Sequence, residues 1–311
     1  MTIDAPTLVH AAALAAGGQQ YPAGTLYVVA TPIGNLADLT LRAIHVLALA
    51  DTVACEDTRL SGSLLHHLGL HKSLLALHEH NEAQAAQRVC ALLAEGQRVA
   101  YVSDAGTPAV SDPGAALVAA VDAAGHRVMP IPGASSAIAA LSAAGDARGS
   151  GFVFSGFLPA KGGERKAALQ AALADPATRV LFEAPHRIEA LVQALAEGAP
   201  QRRVTLCREL TKQFETIVTR AAAELPAWLG ADPNRQRGEF VLVLHAQPAP
   251  SGPAEALDAT TARTLDTLLR ALPLKQAVAM TAEISGAPRN AVYQAALARR
   301  AADTVDEAAD G

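Results

Sequence analysis

Residues 98–124 read RVAYVSDAGTPAVSDPGAALVAAVDAA, and the order of residue types in this stretch decides the fold. The β-branched start, RVAYVS at 98–103, predicts a short buried strand, and the Ala-rich run 114–124 predicts a helix. The connection between them is dense in Asp, Gly and Pro, the residues of tight turns. Ser-Asp-Pro-Gly ahead of an apolar run predicts a helix start, with Asp112 as the N-cap and Pro113 at the first helical position. Asp104 has no such local task. It ends the strand just before Ala105 and Gly106 and is the stronger candidate for binding.

The same strand–loop–helix unit repeats on both sides. Strands are expected at 25–30, 52–55, 73–77, 98–103 and 127–131, with helices at 40–50, 59–69, 81–95, 114–124 and 134–144. Such alternation is the signature of a largely parallel sheet covered by helices. After a Gly-rich linker at 145–151 the pattern changes to strands at 152–157, 178–183, 203–208, 214–219 and 239–245, with helices near 163–174, 186–197 and 221–229. The short gap between 203–208 and 214–219 predicts antiparallel neighbours, hence a mixed sheet.

The expected organisation is therefore α/β: a flexible tail at 1–23, a first domain at 24–147, a second at 150–247, a Pro-rich linker at 248–256, a helical segment at 257–300 and an acidic tail at 301–311. Three short helices are expected at 259–272, 275–285 and 289–299. The last two, broken by SGAP, fit a helix-turn-helix or a plain helical hairpin equally well.

Composition narrows the function. The 311 residues carry a formal charge of −5, which argues against a globally basic nucleic-acid coat but leaves room for a local basic groove. The cysteines Cys55, Cys90 and Cys207 form no C-x-x-C pair, so neither a disulfide framework nor a zinc site is expected, and a reducing cytoplasm fits. Residues 1–23 lack Lys and Arg, and no apolar run is long enough for a signal peptide or a membrane span.

Three Gly- or Pro-rich loops end strands of the first domain: ATPIGNLAD at 30–38, SDAGTPAVSDPG at 103–114 and PIPGASSA at 130–137. Ligands of open α/β sheets bind outside the carboxyl ends of the strands. Neither a P-loop nor a G-x-G-x-x-G fingerprint is present, and the loops contain no Lys or Arg. Carbonyls, small residues and Asp104 suit a neutral or cationic ligand better than a polyphosphate, and a sulfonium cofactor meets that requirement. In LHEHNE (77–82), His78 and His80 lack metal-ligand spacing and a third partner, and Asn81 reads as a helix cap. In CEDTR (55–59), Asp57 and Thr58 read as a helix start, while Glu56 and Arg59 are candidates to face the cleft.

The second domain brings positive charge. GFLPAKGGER (156–165) bears Lys161 and Arg165, followed by Lys166, and LFEAPHR (181–187) bears Glu183, His186 and Arg187. Cations at a helix start oppose its macrodipole, so these residues lack a helical rationale and suit a phosphate backbone.

Taken in order, TLYVVATPIGNLADLTLRAI, EDTR, HNE, VSDAGTPAVSDPG, PIPGASSA, GFLPAKGGER, LFEAPHR and GEFVLVL resemble the bacterial small-subunit ribosomal RNA cytidine 2′-O-methyltransferase (RsmI) family, within the tetrapyrrole-methylase superfamily. The resemblance runs from about Gly24 to His245, and 259–299 resembles that family's helix-turn-helix segment. One departure is the absence of an Arg after Pro159. The resemblance implies a two-domain methylase, usually a homodimer, that binds S-adenosylmethionine between its domains, without a metal. Its implied substrate is the ribose 2′-oxygen of one decoding-region cytidine of 16S rRNA, in the 30S subunit.

On this reading the cofactor contacts are Pro32, Gly34, Asp104, Ala105, Gly106, Pro108, Ser135 and Ser136, closed over by Phe182, Ala184 and Gly238. Glu183 and His186 are candidates for proton removal and Lys161 for an oxyanion partner. Arg59, Lys161, Arg165 and Arg187 are candidates for RNA contact. A methylase of a tetrapyrrole or another small molecule, and a non-catalytic RNA-binding assembly factor, are the alternatives.

Overall fold

The computed structural model describes residues 4–78, 81–111, 114–247 and 257–306. The chain divides into two compact units, Met1–Gln247 and Pro248–Gly311.

The first unit opens with helix α1 (Ala5–Ala16), so the expectation of a flexible tail at 1–23 is corrected over this span. Pro6 stands in its first turn, the Ala/Leu run favours helix, and Gly17 closes it. Ala12 and Ala16 are buried, and Leu8 and Val9 pack against the same core as Ile44 and Leu47. Low side-chain polarity made the run look featureless, yet small residues are what allow two helices to pack closely.

Five parallel strands follow: β1 (Thr25–Val29), β2 (Thr52–Cys55), β3 (Ser73–Ala76), β4 (Val99–Val102) and β5 (Arg127–Ile131). Their order across the sheet is β3-β2-β4-β1-β5. Strands β2 and β4 are buried along their whole length, as expected of strands covered on both faces. The covering helices are α2 (Leu41–Leu49), α3 (Thr58–His67), α4 (Glu82–Ala94), α5 (Ala115–Ala123) and α6 (Ser136–Ala144). Because β4, β1 and β5 are neighbours, the three Gly- and Pro-rich loops leave adjacent strands at one edge.

The second sheet contains β6 (Phe152–Phe157), β7 (Thr178–Glu183), β8 (Arg203–Arg208), β9 (Thr216–Ala221) and β10 (Phe240–Leu244), ordered β6-β7-β10-β8-β9. Only β6 and β7 run parallel; β8 and β9 are antiparallel neighbours. Helices α7 (Gly162–Ala174), α8 (Ile188–Gly198) and the short α9 (Leu225–Gly230) accompany it. The two sheets share one apolar cluster, in which Ala137, Ala140 and Ala144 of α6 pack with Val180, Cys207, Val241 and Val243. Asp146, in the connection between the sheets, accepts hydrogen bonds from Thr178 Oγ1 (2.6 Å) and the Ala246 N–H (2.7 Å).

The second unit is a bundle of α10 (Ala259–Ala271), α11 (Leu274–Ser285) and α12 (Arg289–Asp306), with Leu265, Val278, Val292 and Ala296 at its core. Gly286 adopts the left-handed conformation that ends α11 (φ 71°). The expected linker at 248–256 and the last five residues of the expected acidic tail lie outside the described residues.

Candidate active site

The three loops of the first sheet are stitched together by their own backbone. Thr31 N–H donates to Gly106 O (2.9 Å) and Gly106 N–H to Thr31 O (3.1 Å), an isolated antiparallel bridge between the first loop and the second. Thr31 Oγ1 also donates to Ser103 O (3.2 Å), and Thr107 Oγ1 donates to Ala134 O (3.0 Å), which joins the second loop to the third. Two glycines make the approach possible. Gly106 sits at φ 84° with room for a Cβ only 3.3 Å from Ile33, and a Cβ at Gly133 would lie 2.9 Å from that of Ala30.

Asp104 is exposed at the end of β4, and its Oδ1 accepts the Asp57 N–H at 3.0 Å. Asp57 in turn caps α3 and binds Arg59, whose Nη2 lies 2.7 Å away. Arg59's side chain, which donates to Asp57, holds that carboxyl down at about 2. The helix-start reading of Asp57 therefore holds, and Arg59 is a solvent-facing partner of its own helix cap. Asn81 occupies the N-cap position of α4, but its side chain bonds the His78 N–H and Ala76 O instead. Asp112 and His80 lie outside the described residues; α5 itself starts at Ala115 behind Gly114, one residue beyond the expected start at 114.

A cavity of about 370 Å3 opens where these loops meet the second sheet. Of the expected cofactor contacts, Ala105, Ser136, Phe182 and Ala184 line it, together with Glu183. Ser135 lines a neighbouring cavity with Ile33, Gly133 and Thr211, whereas Pro32, Gly34, Asp104, Gly106, Pro108 and Gly238 line neither. Ile33, Phe157, Leu210 and Glu239 also line the 370 Å3 cavity and carry no signal in the sequence that singles them out.

Glu183 is buried, with no side-chain exposure. Arg165 Nη2 donates to its Oε2 at 2.5 Å, and Ala184 N–H donates to its Oε1 at 2.9 Å. Arg187 Nε lies 2.7 Å from Oε1 as an ion pair whose N–H is not aligned for a hydrogen bond. Arg165 also donates to Pro159 O (3.2 Å). One buried carboxylate thus fixes two guanidiniums from α7 and the start of α8. Lys161 and His186 are exposed, and among the described residues neither side chain has a partner.

A second charged cluster comes from the β8–β9 connection. Lys212 Nζ donates to Glu209 Oε1 (2.9 Å) and Glu239 Oε2 (3.0 Å), and its stem covers Gly34, where a Cβ would lie 2.5 Å from Lys212 Cγ. Burial disfavours the ammonium, but its two carboxylate partners outweigh that and raise its pKa. Glu209 and Thr211 hold positive φ (52° and 67°), a strained conformation for residues with side chains. The one sequence signal for this cluster, "REL" next to "TKQFE", gives no hint that Glu239, 27 residues further on, joins Glu209 and Lys212.

Among the described residues no group of three His, Cys, Asp or Glu side chains is placed to hold a metal, and no helix is long and apolar enough to cross a membrane. Burial pushes the Cys207 thiol up to about 12, which makes it a core residue and no nucleophile.

Two stitched sheets with a cleft floored by strand-end loops define a class, and residues 25–226 match the model of the tetrapyrrole (corrin/porphyrin) methylases. The chain belongs to that family. Residues 255–300 match the RsmI C-terminal helix-turn-helix domain. The chain is similar to ribosomal RNA small subunit methyltransferase I of Pseudomonas aeruginosa, 49% identical over 89% of this chain and 98% of that one. It is likewise similar to that of Escherichia coli O157:H7, 49% identical over 88% and 95%. Among solved structures, uroporphyrin-III-C-methyltransferase from Thermus thermophilus superposes with a TM-score of 0.51 at 25% identity, covering 71% of this chain and 94% of that one.

Proposed function

We propose that the chain methylates the ribose 2′-oxygen of a decoding-region cytidine in 16S rRNA, working on the 30S subunit as a homodimer. At the coarser level it is an S-adenosylmethionine-dependent methyltransferase of small-subunit ribosomal RNA. The observation that carries the finer reading is the pairing of a cofactor-sized cleft with two guanidiniums locked on Glu183. A small-molecule methylase has no evident use for the helix-turn-helix unit, and the uroporphyrin enzyme is matched almost whole by only part of this chain.

The residues fit the cofactor. The cavity falls within the roughly 300–1,000 Å3 of small-molecule sites and has mostly apolar walls, with Glu183 and Glu239 among its lining residues. Gly106 and Gly133 let the floor loops themselves pack tightly, because a Cβ at either position would press on Ile33 or Ala30. The loops lack cations that would repel a sulfonium. When bound, S-adenosylmethionine supplies a sulfonium methyl, so the ribose oxygen gains the carbon while the carbon–sulfur bond breaks and the hydroxyl proton leaves.

The chain's own tasks are alignment and charge. Backbone from Ala105 and Ser136 lines the floor, with Asp104, Gly106 and Ser135 supporting it from behind, and Phe182 and Ala184 form the opposite wall. Pro32, Gly34 and Pro108 act through the shape of these loops, and Gly238, at φ 95°, through the turn into β10. Glu183 accepts hydrogen bonds from Arg165 and the Ala184 N–H and forms an ion pair with Arg187, so its task is to position the two arginines against the RNA backbone. His186, beside the cavity-lining Ala184 and Pro185, retains a ring nitrogen for the proton. Lys161 is the mobile cation for the developing oxyanion. Single-turnover methylation of 30S subunits tests the assignment: His186→Ala should slow the step by about 100-fold, and an unchanged rate would remove it.

A further inference from the structure

Phe157 is an oddity on chemical grounds. It ends an edge strand at the rim of the cavity, yet 54% of it is exposed. Residues three apart in a regular strand point to opposite faces. Here a bulge between Phe154 and Gly156, with Gly156 at φ 59°, inserts one residue and returns Phe157 to the face of Phe154. Both rings then pack edge-on against Phe182, at centroid distances of 5.1 and 5.5 Å and interplanar angles of 70° and 68°. Phe157 is also the direct cross-strand partner of Phe182. The Arg187 guanidinium stands 5.9 Å from the Phe157 centroid.

A bulge that turns a large apolar ring toward solvent costs burial, and bulges beside active sites serve to re-aim side chains. The ring is held by Phe182 on one edge and flanked by Arg187, one of the two arginines anchored on Glu183. We propose that Phe157 is the stacking platform for the nucleobase of the methylated nucleotide, with Arg187 and Arg165 on the phosphate next to it. Unpaired RNA bases are recognised by stacking on aromatic rings beside cationic groups.

The inference rests on the RNA-methylation reading above, and one set of measurements separates them. Wild type, Phe157→Leu and Phe157→Trp are compared for methylation of 30S subunits under single turnover, for RNA KM, for S-adenosylmethionine affinity by calorimetry and for mass in solution. Phe157→Leu should raise the RNA KM about fivefold or more, as expected for one lost base stack. Phe157→Trp should restore it, mass should stay unchanged, and, because Phe157 also lines the cofactor cavity, cofactor affinity should change by less than the RNA KM. A leucine variant that methylates like wild type overturns the proposal. So does one whose cofactor affinity falls by as much as its RNA KM rises, which would place the ring on the cofactor, or one whose mass changes, which would make it a subunit contact. Failure of the wild type itself to methylate RNA would overturn the underlying reading.

Discussion

Thr107 donates its hydroxyl to the carbonyl oxygen of Ala134 at 3.0 Å, across 27 residues of sequence. This bond and the Thr31–Gly106 bridge turn three separate loops into one floor, so its rigidity comes from hydrogen bonds of backbone and threonine hydroxyls and not from side-chain bulk.

Replacing Thr107 by Val keeps the shape and removes the bond. One such hydrogen bond is worth about 0.5–1.5 kcal/mol, so cofactor affinity measured by calorimetry should fall severalfold. Asp104→Asn retains an acceptor for the Asp57 N–H, so any loss of affinity in that variant reports the carboxylate's charge on the cofactor and not a collapse of the α3 start.

Glu183→Gln should remove the anchor of both guanidiniums at once. Breaking a buried pair costs about 3 kcal/mol, visible in urea unfolding. The RNA KM should rise while cofactor affinity changes little, because Arg165 and Arg187 lose their fixed geometry. If Glu183 were the base, the rate of a single turnover would collapse with RNA KM intact.

Gly114 bears on stability. It holds φ 126°, and a Cβ there would fall 2.3 Å from the buried Tyr101 ring. Gly114→Ala combines backbone strain with overpacking and should cost about 2–4 kcal/mol, measured as a shift of the denaturation midpoint.

Acid stability should be set in part by His245, which is buried with its Nε2 2.7 Å from Thr205 Oγ1. Burial lowers its pKa, the nearby Asp146 opposing that only in part. The unfolded chain therefore takes up the proton first, and stability present above the ordinary His range near 6.5 is lost as pH falls through the lowered value. Asp146 acts in the same sense at lower pH: burial opposes its ionisation, but hydrogen bonds from Thr178 and Ala246 outweigh burial and lower its pKa. Unfolding free energy followed from pH 7.5 to 5 should decline, and His245→Gln should flatten that decline.

The strands were legible because buried β-branched runs such as TVAC (52–55) have no competing pattern, and their boundaries match within one or two residues. The edge that carries the loops was legible for the same reason. Helix α1 was not, although Asp4, Pro6 and the Gly17-Gly18 stop carry start and stop signals, because a short Ala-rich run presents no marked apolar face. Glu183 looked like a base because its chemistry was visible and its partners were not: Arg165 lies 18 residues away and meets it only through the β7–α7 packing. The Lys212 cluster and the turn of Phe157 depend on positive φ at Glu209, Thr211 and Gly156, which no periodicity reports.

The most direct measurement is to supply the full chain with S-adenosylmethionine labelled in its methyl group, together with 30S subunits, free 16S rRNA or uroporphyrinogen in parallel, and map the label. Label on the ribose 2′-oxygen of a single decoding-region cytidine is expected. Label on the tetrapyrrole alone, on a base, or on no acceptor would contradict the assignment.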